Sequence, residues 1–146
     1  DLPSDRRHNL KLFGMYAWDS GFQIGGNLYV YTGRPVSTWG RHPTDPWARV
    51  TNYLAHYADS VPMPRACCGR TDDIWGLDLL LKYDSEAAGM TWSARLDVFN
   101  VTDNSDVDRV WMQAELASNG VPDANYLEPT YHQAPRTVRL GFGLRF

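Results

Sequence analysis

Two groups of side chains in this sequence could do chemistry, and they sit in different kinds of segment. Trp39, His42, Trp47, Tyr53, Tyr57, Trp111, Tyr126 and Tyr131 lie in two polar, proline-broken stretches, residues 33–72 and 102–134. Aromatic side chains beside Arg and Asp suit ligand capture, partner docking or phage attachment, because they combine large contact area with polar handles. Packing of those stretches on one another into a cap explains the same composition equally well. Lys11, Asp78, Lys82, Arg95, Asp97, Arg139 and Arg145 form the second group and recur at alternate positions of apolar–polar runs. Charges in that pattern can line a polar route or grip a neighbouring domain. For any single one, a solvated wall residue in a cross-strand ion pair is the stronger reading.

Other chemistry finds little footing. Asp103, Asp106 and Asp108 offer oxygen ligands for Ca²⁺, but the EF-hand spacing is absent and a solvated loop outweighs a metal site. Cys67 and Cys68 are adjacent. A bridge between neighbours is strained, so they read as loop thiols or as partners for a cysteine elsewhere. They give neither metal spacing nor a C-x-x-C motif. The 4 His have no partner pattern, and there is no Gly-rich phosphate loop, G-x-S-x-G or H-E-x-x-H. A non-enzyme without cofactor or metal is expected.

The charged group must be positioned by strands, since five segments alternate with a period of two. In residues 7–18, Leu10, Leu12 and Tyr16 face away from Arg7, Asn9 and Lys11. In residues 22–32, Phe22, Ile24, Leu28 and Val30 oppose Gln23, Asn27, Tyr29 and Tyr31, and Asp19-Ser20-Gly21 turns one strand into the other. Residues 74–83 set Trp75, Leu77, Leu79, Leu81 and Tyr83 against Gly76, Asp78, Leu80 and Lys82, with a turn expected over residues 84–89. Residues 90–101 set Met90, Trp92, Ala94, Leu96 and Val98 against Thr91, Ser93, Arg95 and Asp97. In residues 135–146, Val138, Leu140, Phe142, Leu144 and Phe146 alternate with Thr137, Arg139, Gly141, Gly143 and Arg145. Between the second and third strands, Asp45-Pro46 predicts the N-cap and first residue of a short helix, with Trp47, Val50, Leu54 and Tyr57 on one face.

The connections run short, long, short, long. A long structureless loop argues against a compact soluble domain. Outer-membrane barrels, by contrast, combine short periplasmic turns with long extracellular loops and strands of about 10 residues. A soluble sheet would need a second apolar layer, and the long stretches are too polar to supply one. The expected class is therefore all-β: an antiparallel transmembrane β-barrel segment in the bacterial outer membrane, with residues 1–146 as one barrel portion. Tyr16, Trp18, Phe22, Tyr83, Trp92 and Phe146 fall near the short turns and the last residue, where an aromatic girdle would stand. No apolar run approaches the roughly 20 residues of a spanning helix. A formal charge of -3 with few Lys speaks against a nucleic-acid partner. The first residues, DLPSDRRHN, lack a signal-peptide core, so the chain reads as mature or as a piece of something longer.

The ending PRTVRLGFGLRF (residues 135–146), with LDVFNVTDN (residues 96–104) before it, resembles the C-terminus of TonB-dependent outer-membrane receptors. Thr32-Gly33-Arg34-Pro35, residues 40–46 (GRHPTDP), and Tyr126, Pro129, Tyr131 and Gln133 look like the Oar-like branch of that family. The resemblance implies an active transporter for a peptide, glycan or metal chelate, with a barrel of about 22 strands around a plug. It implies partners too: the rest of the barrel and its plug, TonB through the plug, outer-membrane lipid, and the barrel-assembly machinery reading the terminal Phe146. Five strands without a plug or TonB-binding box cannot close or transport alone. The chain therefore reads as a C-terminal portion, or as one chain of a split assembly. The alternatives are an adhesin-like barrel completed by oligomerisation and a soluble β-sheet binding module.

Overall fold

A computed structural model describes residues 2, 4–117 and 120–146. The strands are β1 (Asn9–Ala17), β2 (Phe22–Tyr31), β3 (Gly40–Arg41), β4 (Leu54–Ala55), β5 (Tyr57–Ala58), β6 (Val61–Pro62), β7 (Ile74–Ala87), β8 (Met90–Phe99), β9 (Val107–Val110), β10 (Pro129–His132) and β11 (Thr137–Arg145). One helix, α1 (Pro46–Thr51), lies between β3 and β4. The described residues contain no helix long and apolar enough to cross a membrane. The chain divides into two compact units: the strands of one large sheet, and the segments Thr32–Ile74 and Asp106–Gln133 with the residues up to Arg7.

The sheet unit is antiparallel in the order β1-β2-β7-β8-β11. Its register decides its chemistry. Leu81 pairs with Leu96, which pairs on its other side with Leu140; Leu79, Val98 and Val138 make the next row, and Tyr83, Ala94 and Phe142 the one before. Leu10 with Val30 and Leu12 with Leu28 continue the same face onto β1 and β2. A slip of one residue would turn every one of these side chains over, so five sequences of matching phase specify this register. The rows leave the apolar face exposed, from Leu12 and Ile24 to Leu140 and Phe142. A contiguous apolar surface of this kind marks an interaction surface. Aromatics pack along it: Tyr16 against Trp18 at 4.7 Å, Phe22 against Tyr83 at 5.5 Å and Trp92 against Phe142 at 5.7 Å.

The expected strand bounds hold for four segments to within a few residues. The third differs, because β7 continues to Ala87 instead of ending at Tyr83. Ala88 and Gly89, both at positive φ (55° and 75°), make a two-residue hairpin that lets Asp84, Ser85 and Glu86 pair with Ser93, Trp92 and Thr91. At the other hairpin Gly21 has φ 86°, and a Cβ there would collide with the Asp84 carbonyl oxygen. Glycine is required at that point.

The NVTDN stretch after β8 is a polar knot. Asn100 is buried at φ 48°; its Nδ2 donates to the carbonyls of Asn104 and Ala134, each at 2.8 Å, and its Oδ1 accepts the Asn104 N–H at 3.2 Å. Its own N–H goes to Asp78 at 2.9 Å, and Asp103 accepts the Arg136 N–H at 2.9 Å. These bonds end one strand and aim the chain into β11.

The long stretches depart from expectation in carrying short ladders of their own. β3 pairs with β4, β5 with β6, and β9 with β10. Asp45 caps α1 by accepting the Trp47 N–H at 2.9 Å, as its side-chain oxygen suits it to do. The predicted helix face does not form. Asn52 closes the helix in the left-handed conformation at φ 52°, so Leu54 and Tyr57 belong to β4 and β5. Val50 is 84% exposed while Ala48 is buried. Cys67 and Cys68 also overturn their reading as separate thiols, because they are bonded to each other.

Candidate functional site

In the loop unit backbone bonds bring distant segments together. Thr71 donates to the Arg34 carbonyl at 2.9 Å, Val36 to Gly69 at 3.0 Å and Cys68 to Val36 at 3.1 Å, which clasps residues 34–36 against 68–71. Trp39 donates to Met112 at 2.9 Å and accepts from Ala114 at 2.8 Å, adding the second long segment. Few apolar residues fill the interior. Buried polar groups do the joining instead: Thr38, 1% exposed, lies with its hydroxyl 2.6 Å from the Tyr126 hydroxyl and within 3.3 Å of both cysteine sulfurs. Glu115 accepts the N–H of Arg41 at 2.9 Å and that of Asp59, so one carboxylate satisfies two loop backbones.

The candidate aromatic residues form pairs and not one pocket. Trp39 lies 5.5 Å from the His56 ring, Tyr57 stands edge-on to His42 at 4.7 Å, and Trp47 tilts on Tyr53 at 5.7 Å. The His42 Nδ1 accepts the N–H of Asp45 at 3.0 Å, which occupies that nitrogen in holding the turn into α1. Trp111 donates its Nε1–H to Asp123 at 2.9 Å. Hydrogen bonds from Asn125 and Trp111 to this buried carboxylate hold Asp123 below the usual aspartate value. Tyr131 is exposed, with the Arg109 guanidinium 5.9 Å from its ring centre.

On the polar face of the sheet, two ion pairs run along strands. Lys82 meets Asp84 at 2.6 Å and Arg95 meets Asp97 at 2.9 Å, each two residues apart. Asp78 accepts from Asn27 at 3.1 Å, and Gln23 donates to Asp84 at 3.1 Å across strands. Lys11 lies over the Tyr31 ring at 5.6 Å and Arg139 over Phe99 at 5.3 Å. Arg145 pairs in register with Thr91 near the end of β11, and Phe146 follows it, exposed. Phe13 and Met15 share this face, in register with Asn27 and Gly25, and are exposed; sequence reasoning had not placed them.

Sequence reasoning also missed a cavity of 390 Å³ in the loop unit, whose lining includes Arg34, Pro35, Val36, Asp108, Val110 and Met112. None of the aromatic candidates lines it. Asp108, considered for Ca²⁺, instead accepts from Arg6 and from the Arg34 Nε at 3.1 Å. Asp103 meets the Arg136 side chain at 3.6 Å. The residues were present in the Gly33-Arg34-Pro35 stretch and the Asp108-Arg109 pair, but their meeting depends on the loop ladders.

The chain is similar to the TonB-dependent transporter Oar of Myxococcus xanthus, at 26% identity over 189 aligned positions covering 99% of this chain. It spans 16% of that relative's length. Similarity at this level supports a distant relation to TonB-dependent transporters. No family model matches the chain. No solved structure matches it either.

Proposed function

We propose that the chain is a segment of the barrel wall of a TonB-dependent outer-membrane receptor, the C-terminal one by the resemblance of its last strand. The observation that carries this reading is the register of the five-stranded sheet, which aligns one apolar face without covering it. The similarity to Oar over nearly the whole chain supports it. In this reading the apolar face meets outer-membrane lipid, and the face with Lys11, Asp78, Lys82, Arg95, Asp97, Arg139 and Arg145 meets a plug and a polar lumen. The edges of β1 and β11 pair with the rest of a barrel of about 22 strands, since an open edge in lipid leaves backbone groups unsatisfied. TonB acts through the plug, and no chemical step is catalysed. The loop unit stands outside the cell and meets the substrate.

Fractionation of cells making the full-length gene product tests the location. The reading expects it in detergent-resistant outer-membrane fractions. Uptake of its substrate should also be lost when either the protein or TonB is deleted. A product that stays in solution without detergent would replace this reading with the soluble binding module. A closed homo-oligomer of the segment on crosslinking in detergent would replace it with the adhesin.

A further inference from the structure

We infer that the 390 Å³ cavity of the loop unit binds a carboxylate carried on an apolar group. The inference rests on the receptor reading and narrows its substrate class. Pro35, Val36, Val110 and Met112 supply an apolar wall, and Arg34, Asp108 and Arg109 line the same cavity. A volume of this order fits a small ligand or the end of a larger one.

The charge of the cavity sets what it accepts. Two guanidiniums and one carboxylate line it, and that carboxylate is shared with Arg6. Arg109 touches Asp108 only at 3.9 Å, and its side chain is largely exposed. Asp5 is engaged by Arg70 at 2.9 Å. Asp72 and Asp73 accept the backbone N–H groups of Val107 at 2.9 Å and Gly33 at 2.8 Å. Arg34 donates its Nε to Asp108 and its backbone N–H to the Thr71 hydroxyl at 2.9 Å. The planar fork of its remaining N–H groups matches a carboxylate, and partial burial strengthens such a bond. A sugar would leave the apolar wall unused, and a cation would meet two guanidiniums. The ligand is an apolar acid: the free carboxyl end of a peptide with an apolar last residue, or an aliphatic acid.

Calorimetry on the purified full-length receptor in detergent tests this, with N-acetyl-Leu-Leu-Phe as probe and its C-terminal amide as control. The acid should bind about tenfold or more tightly than the amide, as expected for a charge-assisted pair. Arg34→Gln should remove that difference, and Arg109→Gln should weaken the acid by about threefold, the size of an exposed ion pair. The Arg109 side chain is largely exposed, so its variant keeps the test sound if Arg34→Gln disturbs the loops. Competition by octanoate widens the class to aliphatic acids; failure to compete narrows it to peptide ends. Equal binding of acid and amide, or an acid preference untouched by both substitutions, overturns the proposal. If TonB-dependent uptake persists beside that outcome, the receptor reading stands and only the site is lost.

Discussion

The sheet unit and the loop unit satisfy their backbones by different means. In the sheet, long ladders pair nearly every residue of β1, β2, β8 and β11 with a neighbour, and side chains are left to face outward on both sides. In the loop unit the ladders are two to four residues long, and side chains such as Glu115, Asp73 and Thr71 accept the backbone N–H groups that remain. The buried apolar residues Val36, Ala48 and Ile74 fall in the loop unit, Ile74 as the first residue of β7, while many large apolar side chains of the sheet, such as Leu12, Leu140 and Phe142, stay exposed. The sheet therefore presents an exposed apolar face, and the loop unit is held largely by polar bonds.

The largest expected effect breaks the comparison on the sheet side. Leu140 is 80% exposed at the middle of β11, in register with Leu96. If water covers that face, Leu140→Arg changes stability by within about 0.5 kcal/mol. If lipid covers it, the substitution costs about 2–4 kcal/mol. Urea unfolding of the full-length protein in bilayers separates the two, and a near-neutral result would remove the membrane reading.

On the loop side the matching test is Glu115→Ala. It strips a buried acceptor from the N–H groups of Arg41 and Asp59, and leaving those donors unsatisfied costs about 1–3 kcal/mol. Limited proteolysis should show cleavage in residues 54–62 while the Tyr16, Trp92 and Phe142 region stays protected. Simultaneous loss of both units would mean that they unfold as one. Gly21→Val tests the hairpin instead. A positive φ and a blocked Cβ position predict a loss of about 1–3 kcal/mol confined to β1, β2 and β7. Hydrogen exchange that reports equal loosening in the loop unit would deny that confinement.

The difference between the units also explains what could be read from the sequence. Period-two alternation is a local property, so Leu10 to Val30 and Val138 to Leu144 announce both their strands and their faces. The continuation of β7 through Asp84 and Glu86 was missed because the Ala88-Gly89 turn lacks the Asn-Gly or Asp-Gly signal. Asp45-Pro46 gave the start of α1 correctly, whereas its end at Asn52, a residue that tolerates the left-handed conformation, was passed over. In the loop unit, Arg34 and Asp108 are 74 positions apart and Thr38 and Tyr126 are 88 apart. Their contacts depend on backbone bonds between irregular segments, and no periodicity announces those. The cavity was hidden for that reason, whereas the charged face of the sheet was not.

The smallest effect is a pH response in the loop unit. Asp123 accepts the Asn125 N–H at 3.0 Å and the Trp111 Nε1–H at 2.9 Å. These bonds, the Asn125 backbone N–H first, hold its carboxyl below the ordinary value of 3.8, against the opposing pull of burial. A carboxyl depressed in the folded state contributes its full stability above its unfolded pKa. The contribution fades as pH falls below 3.8 and is gone below the folded value. The Trp111 indole should therefore become more open to acrylamide as pH falls below that point, read as the difference between the parent protein and Trp111→Phe. Asp123→Asn supplies the control: its Trp111 indole should be more open at neutral pH and change little on acidification. An acid response of equal size in both would assign the effect to another group and remove Asp123 as the clasp between residues 111 and 125.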